Sequence, residues 1–297
     1  MSEVAVALKY EEVLAEYKKI SDFFTNREII YIERLPSIWR AENIVLKILC
    51  DDGCYVFKKI NDTEKETEIS RFRQLKYEYP SLLPDIFCHE KESYVMEFIE
   101  GRGFFDLDEK ERAEKIHTAG RLLAQQYLMK NGNHKDIRGK IQKSFQRYRQ
   151  KADRFFDKNE LTDANLDAFK NVPDIASHND LNAANLLYNN GFIKMIDPKE
   201  QEYNDIARDI GRYCASTFFN NYDRFGNNKK QSLEIAHAFL ANFDEGLMQR
   251  ARYYIGESFM SFLNFQTVTA PKTVLKKLAV NVLAKQQDVM KSLEESL

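Results

Sequence analysis

Two periods of apolar residues divide the chain. Over residues 10–24 they recur at helical spacing, which predicts an amphipathic opening helix. The period then shortens. Residues 29–32, 44–49 and 55–60 are short runs rich in β-branched and aromatic side chains. The last two flank Asp51-Asp52-Gly53, whose Asp-Gly step signals a hairpin. A charged helix is expected at 63–77, stopped near Pro80, with further strands at 85–88 and 94–98. After Gly101-Arg102-Gly103, helical patterns take over at about 109–130, 138–157, 159–170, 203–222, 229–256 and 272–295, interrupted by a mixed segment at 175–197. The pattern predicts an α+β fold in two lobes. Residues 1–100 would form the opening helix, a five-stranded antiparallel sheet and one helix, and residues 101–297 a mainly helical lobe, joined near 98–103.

Composition narrows the function classes. With 297 residues, 43% of them hydrophobic, the chain can bury a core without disulfides or structural metals. Its 44 basic and 46 acidic residues nearly cancel, which argues against a protein that coats nucleic acid or an anionic membrane. The basic run at 137–154 therefore reads as a solvated helix face over a buried stripe of Ile141, Phe145, Tyr148 and Phe155. No stretch has the length of a membrane span, and no basic-then-apolar leader opens the chain. Cys50, Cys54, Cys88 and Cys214 lack the close Cys-x-x-Cys spacing of a zinc site and read as buried thiols. A cytoplasmic protein with no nucleic-acid or membrane partner is expected, and nothing in the sequence specifies its oligomeric state.

Chemistry concentrates in the mixed segment. Ser177-His178-Asn179-Asp180-Leu181 is followed by Asn185, a hairpin with an Asn-Asn-Gly turn at 189–191, and Ile196-Asp197-Pro198. The hairpin brings Asp180, Asn185 and Asp197 to one side, an arrangement suited to phosphoryl transfer. One carboxylate orients the attacking hydroxyl, while an amide oxygen and a second carboxylate hold Mg²⁺ against the phosphates.

These residues resemble those of the aminoglycoside phosphotransferase and choline kinase family, which has a protein-kinase-like fold. That family commonly carries His-Gly-Asp-Leu in this loop and Ile-Asp-aromatic at the metal site. Asp205-Ile206-Ala207-Arg208-Asp209-Ile210 is similar to its following segment, in which Asp209 would brace the catalytic loop. The resemblance implies ATP and Mg²⁺ as cofactors, with Asp180 catalytic and Asn185 and Asp197 on the metal. It further implies a strand lysine, Lys58 or in the other register Lys59, paired with helical Glu68; Glu64 shares that face one turn earlier. The hinge would be Met96-Glu97-Phe98-Ile99-Glu100-Gly101, with backbone of Glu97, Phe98 and Ile99 binding adenine. The loop over the phosphates, at 35–43, contains no glycine, so Ser37 and nearby amides would cover them. Pro198 and Lys199 replace the family's aromatic and acidic residues.

The implied activity is ATP-dependent transfer of phosphate to a hydroxyl of a small molecule, such as an aminoglycoside, amino alcohol or sugar. For a cationic acceptor, Asp163, Asp167, Asp205, Asp244, Glu245 and Glu257 are the available acids. The alternative is a catalytically weak kinase-like scaffold that binds nucleotide, a reading the glycine-free loop favours.

Overall fold

The computed structural model describes residues 10, 12–35, 43–60, 65–103, 106–130, 132–152, 166–189, 191–199, 203–224, 240–241, 245–263 and 270–285. The chain divides into two compact units, Met1–Glu100 and Gly101–Leu297.

In the first unit, β1 (Ile29–Arg34), β2 (Ile44–Cys50), β3 (Gly53–Lys59), β4 (Ile86–Glu90) and β5 (Ser93–Glu97) form one antiparallel sheet in the order β1-β2-β3-β5-β4. Helix α1 (Lys18–Phe24) covers one face, where Ile20 and Phe24 pack with Leu46, Ile48, Tyr55 and Phe57. Alternation along β3 sends Phe57 into that core and its neighbour Lys58 to the opposite face. Helix α2 (Lys65–Glu78) buries Ile69, Phe72 and Leu75, the helically spaced stripe of an otherwise charged segment.

The opening helix is shorter than its apolar period predicts. A helical turn at 12–15 ends before Tyr17, whose backbone is extended (φ −117°, ψ 106°). Tertiary contacts win over the local period here. The buried Tyr17 ring packs on Phe57 and its hydroxyl donates to Glu92. The Glu90 carboxylate then accepts the Lys19 N–H at 2.7 Å, satisfying a donor that the new helix start leaves open.

In the second unit, α3 (Glu109–Leu128) starts at a reciprocal cap. Asp108 accepts the Glu111 N–H at 2.8 Å, and Glu111 accepts the Asp108 N–H at 3.2 Å. Two-residue β6 (Arg102–Gly103) adds to the hairpin of β9 (Leu186–Asn189) and β10 (Phe192–Met195), whose turn uses Gly191 at φ +89°. A second small pairing joins β7 (His134–Lys135) to β8 (Val172–Pro173), flanking α4 (Arg138–Ala152). On α4, Ile141 and Phe145 are buried and Arg147 is exposed, the solvated-face arrangement that the sequence suggests; Phe155 lies outside the described residues.

Helices α5 (Ile206–Arg224), α6 (Glu245–Phe262) and α7 (Lys272–Lys285) pack in succession. Glycines set their spacing. A Cβ on Gly211 of α5 would stand 2.6 Å from the Ala251 carbonyl oxygen of α6, and one on Gly256 would stand 2.8 Å from Leu283 of α7. Two helical expectations change. The described part of 159–170 is a single 3-10 turn at Asp167–Phe169, where Phe169 packs edge-on to Tyr253 and Tyr254. Of the helix expected at 229–256, Leu240 is helical and Ala241 a turn, and the helix described from Glu245 runs on to Phe262, which stacks on Phe219.

Candidate active site

The first unit holds a buried ion pair. Lys58 Nζ lies 2.9 Å from Glu68 Oε1, and Tyr94 donates its hydroxyl to the same oxygen at 2.8 Å. Tyr94 is the cross-strand partner of Lys58, so sheet register places the phenol beside the lysine. Lys59 points the other way and pairs with Glu16 at 3.1 Å, next to the Tyr17 ring. The choice of register that the sequence leaves open is thus settled by geometry: Lys58 meets Glu68.

The segment of the second unit around Asp180 is built on a backbone that few residues tolerate. Asn179 has φ 65° and Asp197 φ 58°, both in the left-handed region. That conformation explains the residue at 179, because asparagine is among the side chains that adopt it, where the family commonly has glycine. The Asn179 side chain adds cross-links that glycine could not make. Its Nδ2 donates to the Ser177 and Lys199 carbonyls, at 3.2 and 3.1 Å, and its Oδ1 accepts from Ser177 Oγ at 3.0 Å.

Beneath the loop, the buried Asp209 carboxylate of α5 accepts the His178 and Asn179 N–H groups, each at 2.6 Å, and the Tyr127 hydroxyl at 3.0 Å. Charge-assisted bonds of this length hold the backbone firmly. The His178 ring N–H at Nε2 donates to the Ile196 carbonyl at 2.8 Å, a structural role that leaves Nδ1 as acceptor. The Lys199 N–H returns to the His178 carbonyl at 3.0 Å. Asn185 closes the set. Its Nδ2 donates to the Asp180 carbonyl at 2.9 Å and its own carbonyl accepts the Ile196 N–H at 3.0 Å. With Nδ2 spent, Oδ1 is the ligand atom that Asn185 retains, one residue's backbone away from Asp197.

Asp180 itself is almost buried, with its side chain 9% exposed, and it faces two cations. Lys199 Nζ lies 2.5 Å from Oδ2, and Arg212 Nη2 lies 2.6 Å from Oδ1. Burial pushes the carboxyl upward, but the charges of Arg212 and Lys199 more than reverse this and hold it below the ordinary carboxylate range. Arg212 comes from α5, three residues beyond Asp209. On the same helix Ser216, one turn further, accepts the Ala183 N–H at 2.9 Å, so successive turns of α5 all serve the loop.

Two of the acids that a cationic acceptor could use are already engaged. Asp205 is fully buried against Arg250, with 3.1 Å between Oδ2 and Nε, and it accepts the Ala207 N–H at the start of α5. Glu257 is buried against Arg208 at 3.5 Å and accepts from Ser144 Oγ at 2.8 Å. Asp163, Asp244 and the side chain of Glu245 lie outside the described residues.

The remaining sequence candidates separate. Ser37 and Glu64 also lie outside the described residues. At the expected hinge, the N–H groups of Glu97 and Phe98 are taken by the Asp85 and Cys54 carbonyls, at 2.8 and 3.3 Å. Those two amides are thus engaged within the first unit. Three site features escape the sequence reading. Tyr94 could be found from strand register. Arg212 could be found from the four-residue spacing Arg208, Arg212, Ser216 on the face next to Asp209. The pairing of Lys199 with Asp180 has no local signal.

Comparison with known proteins supplies the family. None of the curated proteins matches the chain significantly. Among solved structures, it is similar to a thermostable mutant of aminoglycoside phosphotransferase APH(4)-Ia, in ternary complex with ADP and hygromycin B, at a TM-score of 0.57 and 15% identity, covering 93% of this chain and 98% of that one. A candidate fructosamine-3-kinase from Thermobifida fusca follows at 0.53 and 13%, covering 91% and 96%. Amicoumacin kinase hAmiN, in complex with AMP-PNP, Ca²⁺ and Ami, reaches 0.50 and 13%, covering 95% and 99%. At these identities the structures establish a shared kinase-like fold. The model of the phosphotransferase enzyme family matches residues 39–254, most of the chain and the whole of the catalytic segment, and the chain belongs to that family.

Proposed function

We propose that the protein is an ATP-dependent phosphotransferase that phosphorylates a hydroxyl group of a small molecule. The observation that carries this reading is the cross-linked loop, in which Asp209, Asn179 and His178 fix Asp180 and Asn185 against the strand end bearing Asp197. Nucleotide-bound members of the fold, with ADP in one case and AMP-PNP in another, support a nucleoside triphosphate as donor. Small molecules bound in similar structures, hygromycin B beside ADP and Ami beside AMP-PNP, support a small organic acceptor of the aminoglycoside, amino alcohol or sugar kind.

In this mechanism Asp180 orients the acceptor hydroxyl and takes up its proton. Held below the usual carboxylate range, Asp180 is a weak base that stays ionised at neutral pH. That suits a loose transition state, in which the hydroxyl becomes acidic only as its bond to phosphorus forms. Asn185 Oδ1 and the Asp197 carboxylate are hard oxygen donors, the kind Mg²⁺ takes when phosphates and water complete its shell. A cation there would neutralise phosphate charge. Lys58, positioned by Glu68 and Tyr94, steadies the α- and β-phosphates.

The test is transfer of the ATP γ-phosphate across a panel of aminoglycosides, amino alcohols and sugars, read by ADP release and acceptor mass. Asp180→Asn is expected to lower turnover by about 10²–10⁴-fold with ATP binding retained. Unchanged turnover in that variant overturns the assignment. A second reading, a nucleotide-binding scaffold, draws support from the double ion pair that occupies Asp180. It would be favoured by ATP binding without Asp180-dependent hydrolysis or transfer.

A further inference from the structure

The two cations on Asp180 outnumber the charge they meet. Before reaction one carboxylate faces an ammonium and a guanidinium, a local excess of one positive charge. The Arg212 side chain is mostly buried, so charge left unmatched on it is costly. Asp205 and Glu257 are engaged by Arg250 and Arg208, and Asp209, whose charge lies beneath the loop, turns both its oxygens to the His178, Asn179 and Tyr127 donors rather than to either cation.

The geometry of the cations also leaves capacity unspent. The Arg212 contact with Oδ1 is an ion pair without hydrogen-bond alignment, and the buried Nε of Arg212 has no hydrogen-bond partner among the described residues. Guanidinium carries five donors in a planar fork, so an anionic oxygen group can be added without breaking the ion pair. Lys199 is the outer member, with its side chain 45% exposed against 9% for Asp180 and 21% for Arg212. Its backbone is nevertheless fixed at both ends, by the His178 carbonyl and the Asn179 side chain. An exposed ammonium on a rigid base, next to a buried guanidinium with unused donors, has the form of a site for oxyanions.

We propose that Lys199 and Arg212 form an oxyanion site beside Asp180 that binds a phosphate- or carboxylate-type group during the reaction. The inference rests on the phosphotransfer reading above. In that step the acceptor oxygen bonds to the γ-phosphorus, the bond from phosphorus to the β-phosphate bridging oxygen breaks, ADP leaves, and the hydroxyl proton passes to Asp180. The anion that balances Lys199 and Arg212 is then either the transferred phosphoryl group or an acidic substituent of the acceptor next to the reacting hydroxyl.

The experiment compares Lys199→Met, Lys199→Arg and Arg212→Met with the parent enzyme in ATP hydrolysis and in transfer to neutral sugars, aminoglycosides, glucuronic acid and glucose 6-phosphate. If the phosphoryl group is the anion, kcat falls about tenfold or more for water and every acceptor alike, acceptor KM holds, and Lys199→Arg recovers part of the loss. If the acceptor supplies it, KM rises about tenfold for the acidic sugars only. Turnover within twofold of the parent in both Met variants, or a gain in turnover, overturns the inference and reduces the cations to restraints on Asp180. If Arg212→Met fails to fold, the exposed Lys199 decides by the same criteria. If the parent turns over no ATP at all, the phosphotransfer reading fails. The oxyanion site is then judged by binding of inorganic phosphate and glucuronate, read by thermal shift. Saturable stabilisation that both Met variants lose supports it, and no stabilisation of the parent overturns it.

Discussion

Lys58 and Asp180 are buried ionised groups of opposite sign, one in each unit, and the molecule treats them differently. Lys58 is matched by the Glu68 carboxylate, which a buried tyrosine also holds. Asp180 meets two cations, one of them poorly aligned and the other open to solvent, so its charges are over-compensated. A balanced pair fixes a shape. An over-compensated group answers to whatever charge arrives next, while its backbone is pinned by Asp209 beneath residues 178 and 179 and by Asn185 at its own carbonyl.

Breaking that support is expected to have the largest effect. Asp209→Ala leaves three buried donors without their acceptor and should cost about 3–5 kcal/mol, read as a lower midpoint of chemical unfolding with activity lost in parallel. Loss of activity with unchanged stability would show instead that the carboxylate only shapes the loop. On the balanced side, Lys58→Ala should lower kcat/KM for ATP roughly a hundredfold, while Lys59→Ala, on the other face, should stay within about twofold. Equal losses in the two would break the register assignment.

The smallest effect is a shift in pH dependence. Because Asp180 sits below the ordinary carboxylate range when folded, it contributes stability at pH above the unfolded value of about 4, lost only as pH falls through its lower folded value. The acid limb of kcat/KM due to Asp180 should likewise fall below about pH 4 in the parent. Arg212→Met should move it upward, since burial then acts with less opposition. An unmoved limb would mean that Lys199 alone sets the ionisation.

Much of this was legible in the sequence, for reasons that residues make plain. The order Asp180, Asn185, Asp197, Asp209 specifies the loop because each spacing is short and each role depends on local backbone. The five strands follow from segments of four to six residues rich in apolar side chains. Two-residue β6, β7 and β8 have no period to detect, and Tyr17 breaks the opening helix through partners some 75 residues away in sequence. Alternation says that Lys58 and Lys59 face opposite sides, but not which side α2 will cover. The pairing of Lys199 with Asp180 is equally non-local, since it depends on the left-handed backbone at Asn179 and Asp197 folding two loops together. The hinge is legible only as a run of residues, since which of its amides the sheet already uses is decided by tertiary structure.

Gly211 carries a consequence for redesign. With the Ala251 carbonyl oxygen 2.6 Å from where a Cβ would stand, any side chain at this position would push α5 off α6. Asp209, Arg212 and Ser216 are therefore graduations on one fixed ruler. A laboratory or a lineage that seeks a new acceptor can exchange the tips of these side chains but cannot move one relative to another. Specificity changes should accumulate in loops that approach α5, while the helix itself keeps its register.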